Sequence, residues 1–427
     1  MDKLLLRGGT LLDEEARLTR DTDLLVEGGV IAALGQNLDP AGARVADCAG
    51  MVVSPGLPVL HAHSPMHILR GLAEDVDADD WFNKEIWPYE SKITPEDIYW
   101  GTRLCCAEMA DCGVTVFADH YFEAESVARA VRDSGLRADI ASTAFAMDGD
   151  AAGDIAETRR LLGLFAGDDR VRIRYGPHST YLCTPQALGD LVAAAKADGV
   201  GIHIHMSESQ EEERASLRLY GKSHCQVLDA AGGFGLPCIM AHGLWMTEED
   251  LALLGPDTFV AACPKTYLKL GMGRGTLWDH WQRLNLCIGT DGAASSNTVS
   301  ALEQARLFAL VGKLEGRAAE FRLEDIWRML MRGHRAMDFG TGVLGVGAPA
   351  DLVVWDLNDP GTAPLYNPLA AILYSADRTN VRHTLVAGRF LKRDGKPVQD
   401  PAELLAQADR CARGISARGK GVSRLFF

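Results

Sequence analysis

Five histidines and one aspartate hold most of the chemistry legible in this chain: His61, His63, His178, His205, His242 and Asp291. His61 and His63 end the stretch Val53-Ser54-Pro55-Gly56-Leu57-Pro58-Val59-Leu60-His61-Ala62-His63. A Pro-Gly turn feeds a short apolar run there, and residues two apart on a strand point to the same side. The two imidazoles can therefore converge on one ion, and imidazole nitrogen suits zinc, iron and related divalent metals. The other four residues each close a later apolar run. One buried histidine is ordinarily structural; five in register, joined by a carboxylate, point to a metal centre. A catalytic metal needs several N or O ligands and an open position for water. His61, His63, His205 and Asp291 can supply the ligands. Such an ion lowers the pKa of its water toward about 7, giving a hydroxide nucleophile at neutral pH.

Three further roles follow from this placement. Glu208 stands three residues after His205, where a carboxylate can shuttle a proton from the water to a substrate nitrogen. His242 would orient or polarise the nucleophile, and His178 would touch the substrate. His203 shares a face with His205 one layer deeper, and ligation and structural support are equally open for it. His67, His120, His224, His280, His334 and His383 read as ordinary. The fourth apolar run carries Arg172 and Arg174 but no lysine that could bridge a second ion. One divalent metal per chain is expected, zinc before iron.

The elements that must position these residues alternate. From His61 to Asp291, eight strand-like runs are separated by helical stretches. Strand–helix alternation argues a parallel sheet, and eight such units argue a closed barrel whose site lies at the carboxyl ends of its strands. Before and after lie short strands, including a hairpin around Gly28-Gly29 and a strand at Leu4–Leu6 that ends in a turn at Gly8-Gly9. Strand character returns at 347–356 and 381–389. The expected architecture is α/β: a (β/α)8 TIM-type barrel over 57–345, with a small discontinuous β-sandwich domain built from both termini, 1–56 and 346–427. Residues 64–94 show no clean period but are rich in large apolar groups, as a lid or pocket wall would be. Residues 401–416 read as a helix, and the stretch from Arg418 to Leu425-Phe426-Phe427 as a docked tail.

Composition sets the outer bounds. With 427 residues, 47% hydrophobic and 24% charged, the chain is that of a soluble globular protein. A formal charge of -15 argues against nucleic acid as the main partner. No long apolar run and no basic, signal-like amino terminus is visible, so neither a membrane span nor an export signal is expected. The ten scattered cysteines read as reduced thiols in a cytoplasmic protein.

Taken together, these motifs resemble the amidohydrolase superfamily, in the branch of S-adenosylhomocysteine and methylthioadenosine deaminases and triazine hydrolases. The resemblance runs almost end to end. Its pieces are Pro55-Gly56 with His61-Ala62-His63, Leu69-Arg70-Gly71-Leu72-Ala73, Ile86-Trp87-Pro88-Tyr89-Glu90, Gly176-Pro177-His178, and His203-Ile204-His205-Met206-Ser207-Glu208. Ala241-His242, Gly289-Thr290-Asp291-Gly292-Ala293-Ala294-Ser295, Ala350-Asp351-Leu352-Val353 and Pro364-Leu365-Tyr366-Asn367-Pro368 complete it. It implies a mononuclear zinc or iron hydrolase acting on a small N-heterocycle, in a homo-oligomer. His61, His63, His205 and Asp291 match its metal ligands, Glu208 its proton shuttle and His242 its water-orienting histidine; Asp291 also takes the water's proton. Glu90 matches a position that contacts ribose hydroxyls in the nucleoside deaminases, and Trp87 and Ser295 fall in the same motifs as further substrate contacts.

Two departures bear on the substrate. The homocysteine-accepting enzymes hold the amino-acid carboxylate with arginines, one just after the third strand, where this chain has Ser142-Thr143-Ala144-Phe145-Ala146-Met147. Thr266-Tyr267 stands where the family has Ser-Asn, so Tyr267 and Lys265 are candidates to reshape the pocket. The leading expectation is a hydrolytic deaminase of an amino-substituted N-heterocycle: a purine or adenosine, a pterin or a relative. The rivals are the same fold with another leaving group, as in triazine dechlorination or cyclic-amide hydrolysis, and a non-catalytic metal-containing binding protein.

Overall fold

The computed structural model describes residues 3–40, 42–314 and 316–422. Of the tail expected from Arg418 onward, residues 423–427 lie outside the described residues. The chain divides into two compact units, Met1–Val59 with Ala107–Val116 and Ser300–Pro401, and Leu60–Cys106 with Phe117–Val299 and Ala402–Phe427.

The first unit carries a mixed sheet from both termini. Leu18–Glu27 and Val30–Gly35 pair antiparallel across Gly28-Gly29, whose φ values of 64° and 86° suit a tight hairpin turn. Leu4–Leu12 does not stop at Gly8-Gly9, as expected, but runs through it. Its register against Leu18–Glu27 shifts there, and Gly8 takes φ 70°. An extra residue in a bulge lets a strand bend without ending. Past the bend the strand exchanges one parallel neighbour, Arg44–Asp47, for another, Val52–Pro55. Leu352–Trp355 then pairs antiparallel with Val52–Pro55 and with Val381–Val386. Leu6, Leu24, Val26, Ile31, Val53, Leu352, Val354 and Leu385 meet in one buried cluster, so the two ends of the chain share a core.

The second sheet forms the barrel. Its strands are Leu57–His63, Val114–Tyr121, Arg137–Ala144, Val171–Pro177, Ile202–Met206, Cys238–His242, Thr258–Ala262 and a divided eighth, Leu286–Ile288 and Asp291–Gly292. They lie in sequence order, and the strand pairs of known register are all parallel. Burial on both faces explains why they read as continuous apolar runs rather than alternating ones. The eighth strand divides because it serves two neighbours. Leu286–Ile288 pairs with the seventh strand, and Asp291–Gly292 with the first. Gly289 N donates to Ala262 O and Thr290 N to His61 O, at 2.9 and 2.8 Å, closing the ring.

Local sequence fixes the intervening helices. Pro185–Asp198 begins with the Thr184 side chain capping Ala187 N, has proline in its first turn, and ends at Gly199 in the left-handed region. Gln210–Tyr220 opens on a reciprocal capping box between Ser209 and Glu212. Residues 64–90 lack a clean period because their pitch changes along the chain. A 3-10 stretch (Ser64–Leu69) is followed by a short α turn (Ala78–Asp80), a π turn (Trp81–Ile86) and another α turn (Trp87–Glu90). The carboxyl-terminal helix spans Pro401–Arg418. Among the described residues no helix is long and apolar enough to cross a membrane.

Candidate metal centre and active site

The parallel strands bring their carboxyl ends to one level, and there the ring nitrogens of His61, His63 and His205 gather within 4.8 Å of one another. His205 Nε2 lies 3.2 Å from His63 Nε2. Asp291 Oδ1 lies 3.3 Å from His63 Nε2 and 3.7 Å from His61 Nε2. The opposite ring nitrogens are engaged behind the cluster. His63 Nδ1 donates to His120 O at 2.6 Å and His205 Nδ1 to His178 O at 2.8 Å. A carbonyl can only accept, so each Nδ1 holds the proton and each Nε2 presents a lone pair. Two such lone pairs at 3.2 Å repel unless a cation lies between them. His61 Nδ1 lies 2.9 Å from His203 Nε2, and the buried His61 Nε2 has no hydrogen-bond partner. Burial lowers the pKa of His61 and His205 well below the ordinary imidazole value, keeping the neutral form that a metal takes. The donor set fits a divalent ion.

Asp291 is prepared for the same purpose. Its Oδ2 accepts from Thr266 Oγ1 at 3.0 Å and from Ser295 Oγ at 2.8 Å, which leaves Oδ1 toward the histidines. The backbone is tight at this level. Ser207, His242 and Asp291 have φ of 51°, 75° and 58°, a region that non-glycine residues seldom occupy and that concentrates at functional sites.

A cavity of about 370 Å³ opens beside the cluster. Glu208 and His242 line it, with His242 Nε2 3.5 Å from Glu208 Oε1. Burial, and then the charge of Asp291, pushes the Glu208 carboxyl up to about 8. Burial pushes His242 down to about 4. At neutral pH this leaves a protonated acid beside a neutral imidazole. His178 also lines the cavity, its ring stacked on Phe145 with centroids 5.1 Å apart. Trp87 and Glu90 form another wall, and Tyr121 Oη donates to Glu90 Oε1 at 2.7 Å.

Two candidate substrate contacts prove to be elsewhere. Tyr267 does not line the cavity; it is fully buried behind His242, ring centroids 5.7 Å apart, and its hydroxyl accepts from Cys263 N at 2.9 Å. It lies on the helical turn Pro264–Lys269, which begins directly after the seventh strand. Consecutive residues of a helix face about 100° apart, so Thr266 faces the site instead. Ser295 is buried as well and spends its hydroxyl on Asp291. Lys265 turns to Thr298 Oγ1, at 2.9 Å. Conversely, His120, Tyr121 and Glu212 line the cavity without having been singled out. Glu212 reads from the sequence only as the capping-box partner of Ser209. His120 and Tyr121 end the second strand at the same level as the ligand histidines, a signal obscured because that strand runs past its apolar part.

The chain matches the amidohydrolase family over residues 52–391. It belongs to that family. This amidohydrolase is 32% identical over 416 residues to a 5'-deoxyadenosine deaminase of Methanosarcina mazei, covering 95% of this chain and 96% of the relative. It is 34% identical over 402 residues to a 5-methylthioadenosine/S-adenosylhomocysteine deaminase of Pyrococcus abyssi, covering 92% and 94%. Among solved structures, an adenosine deaminase from Xanthomonas campestris with bound zinc superposes with a TM-score of 0.91 at 29% identity, covering 97% of this chain and 99% of that one. Atrazine chlorohydrolase from Arthrobacter aurescens TC1, complexed with zinc, shares the fold with a TM-score of 0.88 at 21% identity, covering 96% and 100%.

Proposed function

We propose that this amidohydrolase is a hydrolytic deaminase of a neutral adenosine-like nucleoside, releasing ammonia and using one zinc ion per chain. The observation that carries the reading is Glu208, 3.5 Å from His242 and beside the His61–His63–His205–Asp291 cluster, on a cavity of about 370 Å³; desolvation pushes its carboxyl up to about 8, which keeps a proton available for transfer. The names of the relatives and of the zinc-containing neighbour support it. His61, His63, His205 and Asp291 would hold the metal, which supplies Lewis-acid activation of water. Glu208 delivers its proton to the ring nitrogen next to the amino-bearing carbon. Asp291 Oδ1, the oxygen not held by Thr266 and Ser295, takes the proton of the attacking water. His242 orients that water; Asp291 passes the proton it took to the amino group, which departs as ammonia, and the remaining hydroxyl proton returns to Glu208. Trp87 and Glu90 meet the sugar, where the Glu90 oxygen not bonded to Tyr121 can accept from a ribose hydroxyl.

The cavity offers no cation to an amino-acid carboxylate. Among the described residues lining it there is no lysine or arginine. The segment Ser142-Thr143-Ala144-Phe145-Ala146-Met147, where the resemblance leads one to look for an arginine, has none, and its Phe145 lines the cavity. 5'-Deoxyadenosine, adenosine and methylthioadenosine are therefore preferred to S-adenosylhomocysteine. The ten buried free thiols support a reducing, cytoplasmic setting, and a homo-oligomer is the assembly expected of it.

The test is ammonia release by zinc-loaded protein against these nucleosides, free purines, pterins and aminotriazines. Ammonia from the neutral nucleosides, reduced about 10²–10⁴-fold in Glu208→Ala as loss of a general acid predicts, is the expected result. Silence across the panel with metal bound overturns the deaminase reading. Efficient turnover of S-adenosylhomocysteine overturns the charge argument.

A further inference from the structure

Residues 418–422 take no part in the chemistry above, yet they lie against the wall of the cavity. Arg418, in the last turn of the Pro401–Arg418 helix, donates from Nε to Lys92 O at 3.1 Å and from Nη2 to the Asp97 carboxylate. Four residues on, Val422 N donates to Glu85 Oε2 at 3.1 Å. Between these anchors the backbone touches the wall through two glycines. A Cβ on Gly419 would stand 2.6 Å from Pro88 O and 2.8 Å from Tyr89 Cα. A Cβ on Gly421 would stand 2.7 Å from Glu85 Oε2 and 2.8 Å from Tyr89 Cε2. Tyr89 is 3% exposed and takes this contact, while its neighbours Trp87 and Glu90 line the cavity.

The wall has little of its own to fix it. Its helical turns, Ala78–Asp80, Trp81–Ile86 and Trp87–Glu90, are short and change pitch, and segments this short are not stable helices by themselves. Pro88 removes a backbone donor from the last of them. Tertiary contacts must therefore set where Trp87 and Glu90 stand.

We propose that Arg418–Val422 is a positioning element for substrate recognition, holding the Trp87–Glu90 turn so that both side chains meet the sugar end of the nucleoside. The proposal rests on the reading of this cavity as a nucleoside site. Gly419 and Gly421 let the strap approach, and Arg418 and the Glu85–Val422 hydrogen bond fasten its two ends.

The test uses full-length Gly419→Ala, Arg418→Ala and Arg418→Lys in the metal-loaded protein. Amide hydrogen exchange over residues 81–90, measured without substrate, is expected to speed up about tenfold in the two alanine variants. Arg418→Lys, which keeps the charge but not the planar fork, should fall between them and the parent. With nucleoside, KM should rise about tenfold, the loss of a pre-organised contact, while kcat and metal per chain stay unchanged. Unchanged exchange over 81–90 in folded Gly419→Ala overturns the proposal, and so does faster exchange with an unchanged KM. A joint fall of kcat and bound metal also overturns it, because the strap would then act on the metal centre. If the parent protein deaminates no nucleoside, the functional reading has failed, and the exchange readout alone decides whether the strap holds the turn.

Discussion

His203 shows how much a single residue's role depends on its contacts. Its Nε2 lies 2.9 Å from His61 Nδ1, so it braces the His61 ring from behind the cluster, and it is not itself part of the gathered set. Removing the partner behind a ligand histidine weakens metal binding about 10–100-fold. His203→Ala should show that loss in competition with a chelating dye, with the remaining donors still in place; unchanged affinity would refute the role. Tyr267 has the reverse profile. Tyr267→Phe leaves the buried Cys263 N–H without its acceptor, which costs about 1–3 kcal/mol. Denaturant unfolding should register that cost, and KM should not move, because the ring lies outside the cavity. A changed KM with unchanged stability would return Tyr267 to the substrate.

The Pro55-Gly56 turn matters at the scale of elements. A Cβ on Gly56 would stand 2.1 Å from Thr115 Oγ1, so the first two barrel strands cannot leave this point side by side with any larger residue. Gly56→Ala should cost about 1–3 kcal/mol, as overpacking of a core does, read as a lower unfolding midpoint. His334 secures the same turn. Its Nε2 donates to Gly56 O at 2.8 Å, and its Nδ1 pairs with Thr341 Oγ1 at 2.9 Å. Burial lowers its pKa to about 4, against about 6.5 in the unfolded chain. Between those values the unfolded state binds the extra proton, so this contribution to stability is full above about pH 6.5 and is lost as pH falls toward 4. The loss amounts to about 3 kcal/mol. His334→Gln should flatten the stability profile across that window relative to the parent; parallel profiles would contradict the assignment. Sequence alone treats His334 as ordinary, since its partner lies 278 residues away.

The whole molecule should report the metal through its stability. A ligand bound only by the folded state adds RT ln(1 + [L]/Kd), about 4 kcal/mol at a thousandfold excess over Kd. Chelation should therefore lower the unfolding temperature by several degrees, about 2–4 °C per kcal/mol for large domains, and added zinc should restore it. The same shift should vanish in His61→Ala. No difference between chelated and zinc-loaded protein would mean that the cluster holds no ion.

The order of strands and helices, the hairpin at Gly28-Gly29 and the gathering of His61, His63, His205, His242 and Asp291 were all legible along the chain. Strand periodicity and barrel topology are local, repetitive signals, and in a parallel barrel the end of every strand is brought to one level. Tertiary structure alone decided which neighbours of those residues face the cavity. Thr266 rather than Tyr267 meets Asp291, because a helical turn begins directly after the seventh strand. Leu4–Leu12 continues through its glycines because neighbouring strands accept a shifted register. The wall at 64–90 and the strap at 418–422 have no period of their own, and they meet through contacts between residues 326 and 337 positions apart in sequence. A pattern repeated along the chain fixes the frame; single contacts between distant residues fix the side chains that line the cavity.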